Sequence, residues 1–441
     1  MRFFFTYLLF QITLISFSQT PRLIRPSTTD PNITTIDSAH YIYIPEGTAQ
    51  NLLFVFLPGT GAAPENYQLI SEEAANLGLH VVNLSYQNDI SPNGPFQCFF
   101  SSDITCHGRF RAEIFDGIDR SNLVNVTPAN STQNRLLKIL QYLDQNFPTE
   151  GWGQYLSNGE IVWSKIKLGG HSQGGNHAGY IGKIVELERS LMFASNDWLP
   201  VLGRTAAWMS ADGLTPPTRY FSFAHRRDEI FPYGLMVNSW SDLGMNIFGN
   251  PVEVENSSSP YEQTRTLNSD ISVPGRNHSA IISDEPTPFT NGDPTYAPVW
   301  RYMLNKPVEN VRVATKANLE GAYESDLDLM RDDLRMKNLI PIQEPFSALG
   351  LGGNGETIEN GVLNVSGDDA IVDWVLLEIK DELGNIATRA ALLQRDGDIV
   401  DVDGQSAVLF SGILEEFYRL SIRTRNHLRI DSAEPILLRA E

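Results

Sequence analysis

The five residues Gly170-His171-Ser172-Gln173-Gly174 constrain this chain more than any other stretch. The spacing G-x-S-x-G belongs to a sharp strand-to-helix turn that holds a serine hydroxyl in open space. The flanks suit that geometry. Residues 161–168 alternate apolar and polar side chains and read as a strand running into Gly169-Gly170. Gly174, Gly175 and Ala178 are small enough for a helix start to lie close against that strand, and residues 180–191 read as the helix. An ordinary serine on a Gly-rich turn would share the five letters but has no need of the strand and helix around them.

With 441 residues the chain is too long for one typical domain, so two are expected. The formal net charge of −20 disfavours nucleic acid and anionic membrane as partners. Residues 1–18 have the form of an export signal: a basic start at Arg2, an apolar run over 3–15, and Ser16-Phe17-Ser18 as a small-x-small cleavage site. The run is short for a bilayer span and no later segment is apolar enough for one, so no integral membrane segment is expected once the signal is removed. A secreted, periplasmic or cell-surface location follows. In such an oxidising compartment Cys98 and Cys106, the only cysteines, read as one local disulfide, which contributes about 2–3 kcal/mol in the loop-entropy account. Two buried thiols are the alternative. Only His107 lies near them, so no metal site is expected there, and chemistry on a serine hydroxyl needs no cofactor.

Residues 19–38, rich in Pro, Thr and Ser, read as a leader. From 39 to 306 strand and helix patterns alternate, which implies an α/β fold with a mostly parallel, doubly wound sheet. Strands are expected at 40–45, 52–57, 80–86, 205–210 and 218–224, and helices at 71–78, 131–147 and 296–304. From 307 to 441 the pattern changes. A strand at 308–314, a charged helix-compatible stretch at 324–337, a Gly-rich turn at 349–356, and strands at 370–379, 387–393, 407–412 and 417–423 imply a smaller all-β, sandwich-like domain.

A serine hydroxyl is a weak nucleophile until a base takes its proton and an acid orients that base. In α/β-hydrolases the chain order is Ser, then Asp or Glu, then His. Asp228 lies just past the strand that ends at Ala224, where loops at the carboxyl ends of parallel strands build such sites. Asp212 and Glu229 compete for the role. Of the eight histidines, His278 in the turn-rich segment 274–279 has the right order. His40, His80, His107, His171 and His177 come too early or at the turn itself, His225 is too near Asp228, and His427 falls in the second domain. Acyl transfer also needs N–H donors for an oxyanion: one from Gln173, the residue after the serine, and one from the loop Pro58-Gly59-Thr60-Gly61-Ala62, with Thr60 first and Gly61 second. The run 57–61 also spells the L-P-x-T-G of a cell-wall sorting signal. That reading needs a hydrophobic segment and a basic tail at the C-terminus, and here the run is early.

These residues resemble the α/β-hydrolase superfamily over about 42–304. The pairing of L-P-G-T-G with G-H-S-Q-G-G is most similar to secreted bacterial serine hydrolases. The resemblance implies a serine esterase or lipase-like hydrolase that takes an ester substrate, with Ser172, His278 and Asp228 as its triad. Pro58 departs from the histidine that many esterases carry before the oxyanion glycine, so the donor loop is less firmly matched than the triad. A peptidase or polysaccharide deacetylase would use the same triad, and a catalytically idle binding or adhesion protein is a reading from another class.

Two further segments invite a role. Residues 87–130 hold both cysteines with Phe96, Phe99, Phe100, Phe110 and Phe115, and read as a disulfide-pinned segment over the site or as a packed insertion; Arg109, Arg111 and Glu113 are candidates to pair within it. Phe231, Tyr233 and Trp240 are candidates for a substrate groove or for core. In the tail, segments 319–323, 329–334, 369–374, 393–398 and 425–428 resemble a C-terminal module of exported Bacteroidota proteins, which implies an accessory domain and cell-surface association. Asp396, Asp398, Asp401 and Asp403 could ligate Ca²⁺, but they do not match an EF-hand, and solvated turn acids are the simpler reading.

Overall fold

The computed structural model describes residues 19–438 apart from 95–96, 305–308, 382–385, 414–416 and 426–427. The expected signal at 1–18, Phe96, the boundary at 306/307 and His427 lie outside the described residues. The chain divides into two compact units, one ending at Asn305 and the other beginning at Lys306.

The first unit is built on one nine-stranded sheet. In chain order its strands are β1 (Arg22–Ile24), β2 (His40–Tyr43), β3 (Leu53–Leu57), β4 (His80–Asn83), β5 (Ile166–His171), β6 (Arg189–Phe193), β7 (Tyr220–His225), β8 (Val252–Glu253) and β9 (Thr266–Ser269). They lie in the order β1-β2-β4-β3-β5-β6-β7-β9-β8. From β4 to β8 every pairing is parallel; β1–β2 and β2–β4 are antiparallel. This is the mostly parallel α/β sheet expected from the alternating pattern. Both faces are covered, as parallel sheets require. Leu53, Val55 and Leu57 join a core with residues of helices α2 (Cys106–Asp116), α3 (Thr132–Asn146) and α4 (Gln173–Ile184). Phe54 and Phe56 face the other way, into a core with α1 (Gln68–Asn76) and α6 (Ala297–Leu304). A third cluster forms under α5 (Tyr233–Asp242), whose Met236 and Trp240 pack with Met192 and Ala224.

Several expectations need correction. The stretch 19–38 is not a bare leader: β1 adds an antiparallel edge through Leu23 opposite Tyr41. The strand before Ser172 starts at Ile166, because 156–161 form a two-residue hairpin and Trp163–Lys165 a 3-10 turn. The following helix is Gln173–Ile184. It ends before Val185, and Leu191 belongs to the buried strand β6. Residues 205–210 are not a sheet strand but mostly the short helix Ala207–Ser210.

The second unit is all-β at its centre. An antiparallel sheet runs Thr315–Lys316, Asp398–Val400, Ile386–Gln394, Ile371–Lys380, Phe417–Thr424 and Ile430–Asp431, and Glu309–Val313 pairs separately with Val408–Ile413. Leu377 and Leu393 on one face of the large sheet pack with Val311 and Phe410 of the small one. Trp374 and Leu392 on the other face are covered by Ile340, Phe346 and Ile358. The acids weighed for calcium are engaged otherwise: Lys316 pairs with Asp396 at 3.5 Å and Asp398 at 2.9 Å, Asp401 with Arg389 at 2.9 Å, and Asp403 accepts the Gln405 and Ser406 N–H groups. Among the described residues no group of three His, Cys, Asp or Glu side chains could hold a metal ion, and no helix is long and apolar enough to cross a membrane.

Candidate active site

Register brings the first two loops together. β3 and β5 are parallel neighbours with Leu57 opposite Gly170, so the loop after Leu57 and the turn after His171 emerge side by side. The approach is close enough to exclude a side chain at Gly174, where a Cβ would lie 2.0 Å from the Leu57 carbonyl oxygen. At Gly170 a Cβ would meet the Gly174 backbone at 2.3 Å. Both glycines of the motif are therefore needed to let the helix start against the sheet.

Ser172 itself has φ 52° and ψ −114°, a conformation that costs a non-Gly residue about 1–3 kcal/mol. It is held from both sides: its N–H donates to the Phe193 carbonyl at 2.8 Å, and its own carbonyl accepts the Asn176 N–H at 3.1 Å. The strain lifts the hydroxyl off the sheet and sets the Gln173 N–H at the first turn of α4. That N–H has no partner among the described residues, and the helix dipole favours negative charge there.

Asp228 sits three residues past β7. Its side chain is fully buried. Oδ1 accepts the Ile230 and Phe231 N–H groups, both at 2.8 Å, and Oδ2 lies 2.7 Å from His278 Nδ1. The competing acids are placed elsewhere. Glu229 accepts the His278 backbone N–H at 3.1 Å, which steadies the loop rather than the ring, and Asp212 is exposed. His225 Nε2 meets the Ile271 carbonyl and Nδ1 accepts the Arg227 N–H, so it shapes the acid's loop. Phe231 packs edge-on against the His278 ring. Ser172, His278, Thr60 and Gln173 line one cleft of about 520 Å³.

The oxyanion loop is clamped by neighbours. Tyr86 donates to the Pro58 carbonyl, and Asn88 Nδ2 to the Gly59 and Ala62 carbonyls. The Gly61 N–H is spent on the Asn88 carbonyl at 2.9 Å, which removes Gly61 as the second-choice donor. Thr60 keeps its N–H without a partner among the described residues.

A residue passed over on chain order does work here. His171 is buried between three segments. Its Nε2 lies 3.1 Å from the His278 carbonyl oxygen and its Nδ1 2.9 Å from the Tyr67 hydroxyl, which in turn accepts the Gly59 N–H at 3.2 Å. Burial first, and then His278, hold its pKa well below the usual 6.5, so the ring is neutral. A carbonyl can only accept, so the proton sits on Nε2 and Tyr67 donates to Nδ1. One relay thus ties the oxyanion loop, the serine turn and the base's loop.

The insertion 87–130 contains the helix α2. The Cys98–Cys106 disulfide is present, with Cα atoms 5.4 Å apart, and it immediately precedes the body of α2. The charged side chains on α2 do not pair with one another. Arg109 bonds Asp103, Glu113 accepts the Arg120, Ser121 and Val126 N–H groups, and Arg111 reaches Asp197 in the loop after β6. That Arg111–Asp197 pair is fully buried and bidentate, with Arg111 Nη1 also 3.3 Å from the Gln173 carbonyl. Phe110 and Phe115 are core, as are Tyr233's partner Trp240 and Trp240's neighbours.

No family model and no curated protein matches this sequence. Solved structures do. The chain is similar to a thermophilic esterase from the Planctomycetes species Thermogutta terrifontis (13% identity, TM-score 0.32, 58% of this chain and 84% of that one). It is similar to XC6422 from Xanthomonas campestris, an a/b serine hydrolase without lid (13%, 0.29, 58% and 85%). A third is an acetyl ester-xyloside bifunctional hydrolase from Caldicellulosiruptor lactoaceticus (11%, 0.31, 59% and 89%). The α/β class of the first unit rests on the chain's own sheet, with its parallel order, its covered faces and its loops gathered at the carboxyl ends of the strands.

Proposed function

We propose that this protein is an exported serine hydrolase that cleaves carboxylic esters. The observation that carries the proposal is the 2.7 Å contact between buried Asp228 and His278, on a cleft shared with a strained Ser172. With Nδ1 committed to Asp228, His278 has Nε2 free to take the Ser172 proton as Oγ attacks the ester carbonyl. The carbonyl π pair moves onto oxygen, and the N–H groups of Gln173 and Thr60 stabilise that charge. Collapse expels the alkoxide, which leaves with the proton from His278 Nε2, and an acyl group stays on Ser172. Water then repeats the sequence: His278 takes its proton, hydroxide attacks, and Ser172 is restored as the acid leaves. The Cys98–Cys106 disulfide suits an oxidising compartment, and the C-terminal unit is proposed as the accessory part that holds the enzyme at the cell surface.

The test is Ser172→Ala. It should abolish p-nitrophenyl acetate turnover and labelling by a fluorophosphonate, with melting temperature little changed, because Ala keeps the Cβ at this backbone position. Turnover persisting at the wild-type rate rejects the proposal.

A further inference from the structure

The cleft beside Ser172 is lined by three carboxamides whose oxygens are already taken. Asn66 Oδ1 accepts the Ala63 backbone N–H at 3.0 Å, which fixes which end of the amide is oxygen. Gln173 Oε1 accepts the Thr60 hydroxyl at 2.7 Å, and its Nε2 is buried with no partner among the described residues. Asn93 Oδ1 lies 2.9 Å from His107 Nε2. Burial keeps His107 neutral, and its Nε2 also faces the Asp197 carboxylate at 3.8 Å, so the single ring proton belongs on Nε2 and is donated to Asn93. None of the three NH₂ groups meets an acceptor among the described residues. They come from three separate segments around one serine. A buried, unanswered donor such as Gln173 Nε2 is costly unless an acceptor arrives.

The charge on the cleft is balanced. Arg276, the cation on its wall, is paired with Glu285 across the same wall, so no net cation awaits a carboxylate or phosphate. We infer that the cleft is built for the ester of an uncharged, polyhydroxylated alcohol, an O-acylated saccharide. A sugar ring presents vicinal oxygens in several directions from one compact body, which matches planar two-donor amides set around the serine. An extended peptide turns successive carbonyls to opposite sides of its strand, so only every other one could face these donors. Sugar hydroxyl protons have acceptors in the Glu285 carboxylate and the Ser279 and Ser283 hydroxyls.

The inference rests on the ester-hydrolase reading, and the experiment separates the two. The full-length protein is assayed on a fully acetylated hexose and on cyclohexyl acetate, a ring of like size without the extra oxygens. Ser172→Ala should lose both activities; if both survive, the underlying reading fails. Given that loss, the wild type should show the higher kcat/KM on the acetylated hexose. Asn66→Asp and Asn93→Asp keep the pinned oxygen but replace the donor with an acceptor. Each should lower the ratio of hexose to cyclohexyl kcat/KM about 3- to 10-fold, the worth of one neutral hydrogen bond. Any effect of the new charge on the oxyanion is common to both substrates and cancels in the ratio. Thermal melting confirms that the variants fold. Equal or greater wild-type activity on cyclohexyl acetate, or an unchanged ratio in both folded variants, overturns the inference.

Discussion

Replacing Asp197 with Ala should be among the most damaging single changes available in the first unit. Arg111 gives Nε and Nη2 to the two Asp197 oxygens at 2.5 Å each, and neither side chain is exposed. Trp208 Nε1 donates to the same carboxylate at 2.9 Å. Removal leaves a buried guanidinium with no counter-charge beyond a 3.3 Å contact to the Gln173 carbonyl. Breaking one partner of such a pair costs about 3–5 kcal/mol, and the orphaned indole N–H adds about 1 kcal/mol. For a unit of this size that lowers the melting temperature by on the order of 10 °C. Replacing both partners, as Arg111→Met with Asp197→Leu, should recover most of the loss, because the gain from pairing barely exceeds the cost of desolvating both charges. A pH series adds a sign. Burial by itself pushes the Asp197 carboxyl up, but the Arg111 guanidinium beside it overcomes burial and holds it at about 2. The folded value lies below the unfolded one near 3.9. The pair's contribution is therefore present above pH ~4 and disappears as pH falls from ~5 towards ~2, an amount of about 2–3 kcal/mol. Calorimetry and urea unfolding of the wild type, Asp197→Ala and the double variant between pH 3 and 7 measure all three terms. A single-variant loss under about 1 kcal/mol, or a double variant no more stable than Asp197→Ala, refutes the reasoning.

Three further outcomes are expected. Gly174→Ala forces the Leu57–Pro58 backbone aside and drags the Thr60 N–H with it; kcat should fall about 100-fold alongside a stability loss of about 1–3 kcal/mol, read by steady-state kinetics and unfolding. His171→Phe keeps a ring but removes the donor to the His278 carbonyl and the acceptor for Tyr67, so kcat should fall about 10-fold or more with KM little changed, measured well below the melting temperature. Cys98→Ser with Cys106→Ser should cost about 2–3 kcal/mol, and dithiothreitol should impose that loss on the wild type but not on the variant.

The turn at Ser172 could be read locally because its requirements are local. Two glycines, a serine and a change of period from strand to helix all fall within a few residues, and the order of Asp228 and His278 follows from connectivity. Residue type at those positions is chemistry that no packing arrangement alters. Boundaries were less legible. β6 and the stretch 205–210 are both short apolar runs, and periodicity alone does not separate a fully buried strand from a helix turn. β9 carries Thr266, Asn268 and Ser269 in buried positions and has no apolar signature to find.

Which neighbours each of these groups meets was decided by tertiary structure alone. Arg111 and Asp197 are 86 positions apart, and no local pattern links a charge on α2 to one after β6. His171 was set aside because chain order forbids it the role of base; its role as a tie between the Gly59 loop and the His278 loop exists only once β3 and β5 lie side by side. Thr60 and Gly61 each offer an N–H in that loop, and the Asn88 carbonyl takes that of Gly61 and spares that of Thr60. The physical reason is common to all three. Sequence specifies which groups are present and the local backbone they prefer, whereas hydrogen-bond partners and burial depend on which distant segments the sheet order brings within about 3 Å.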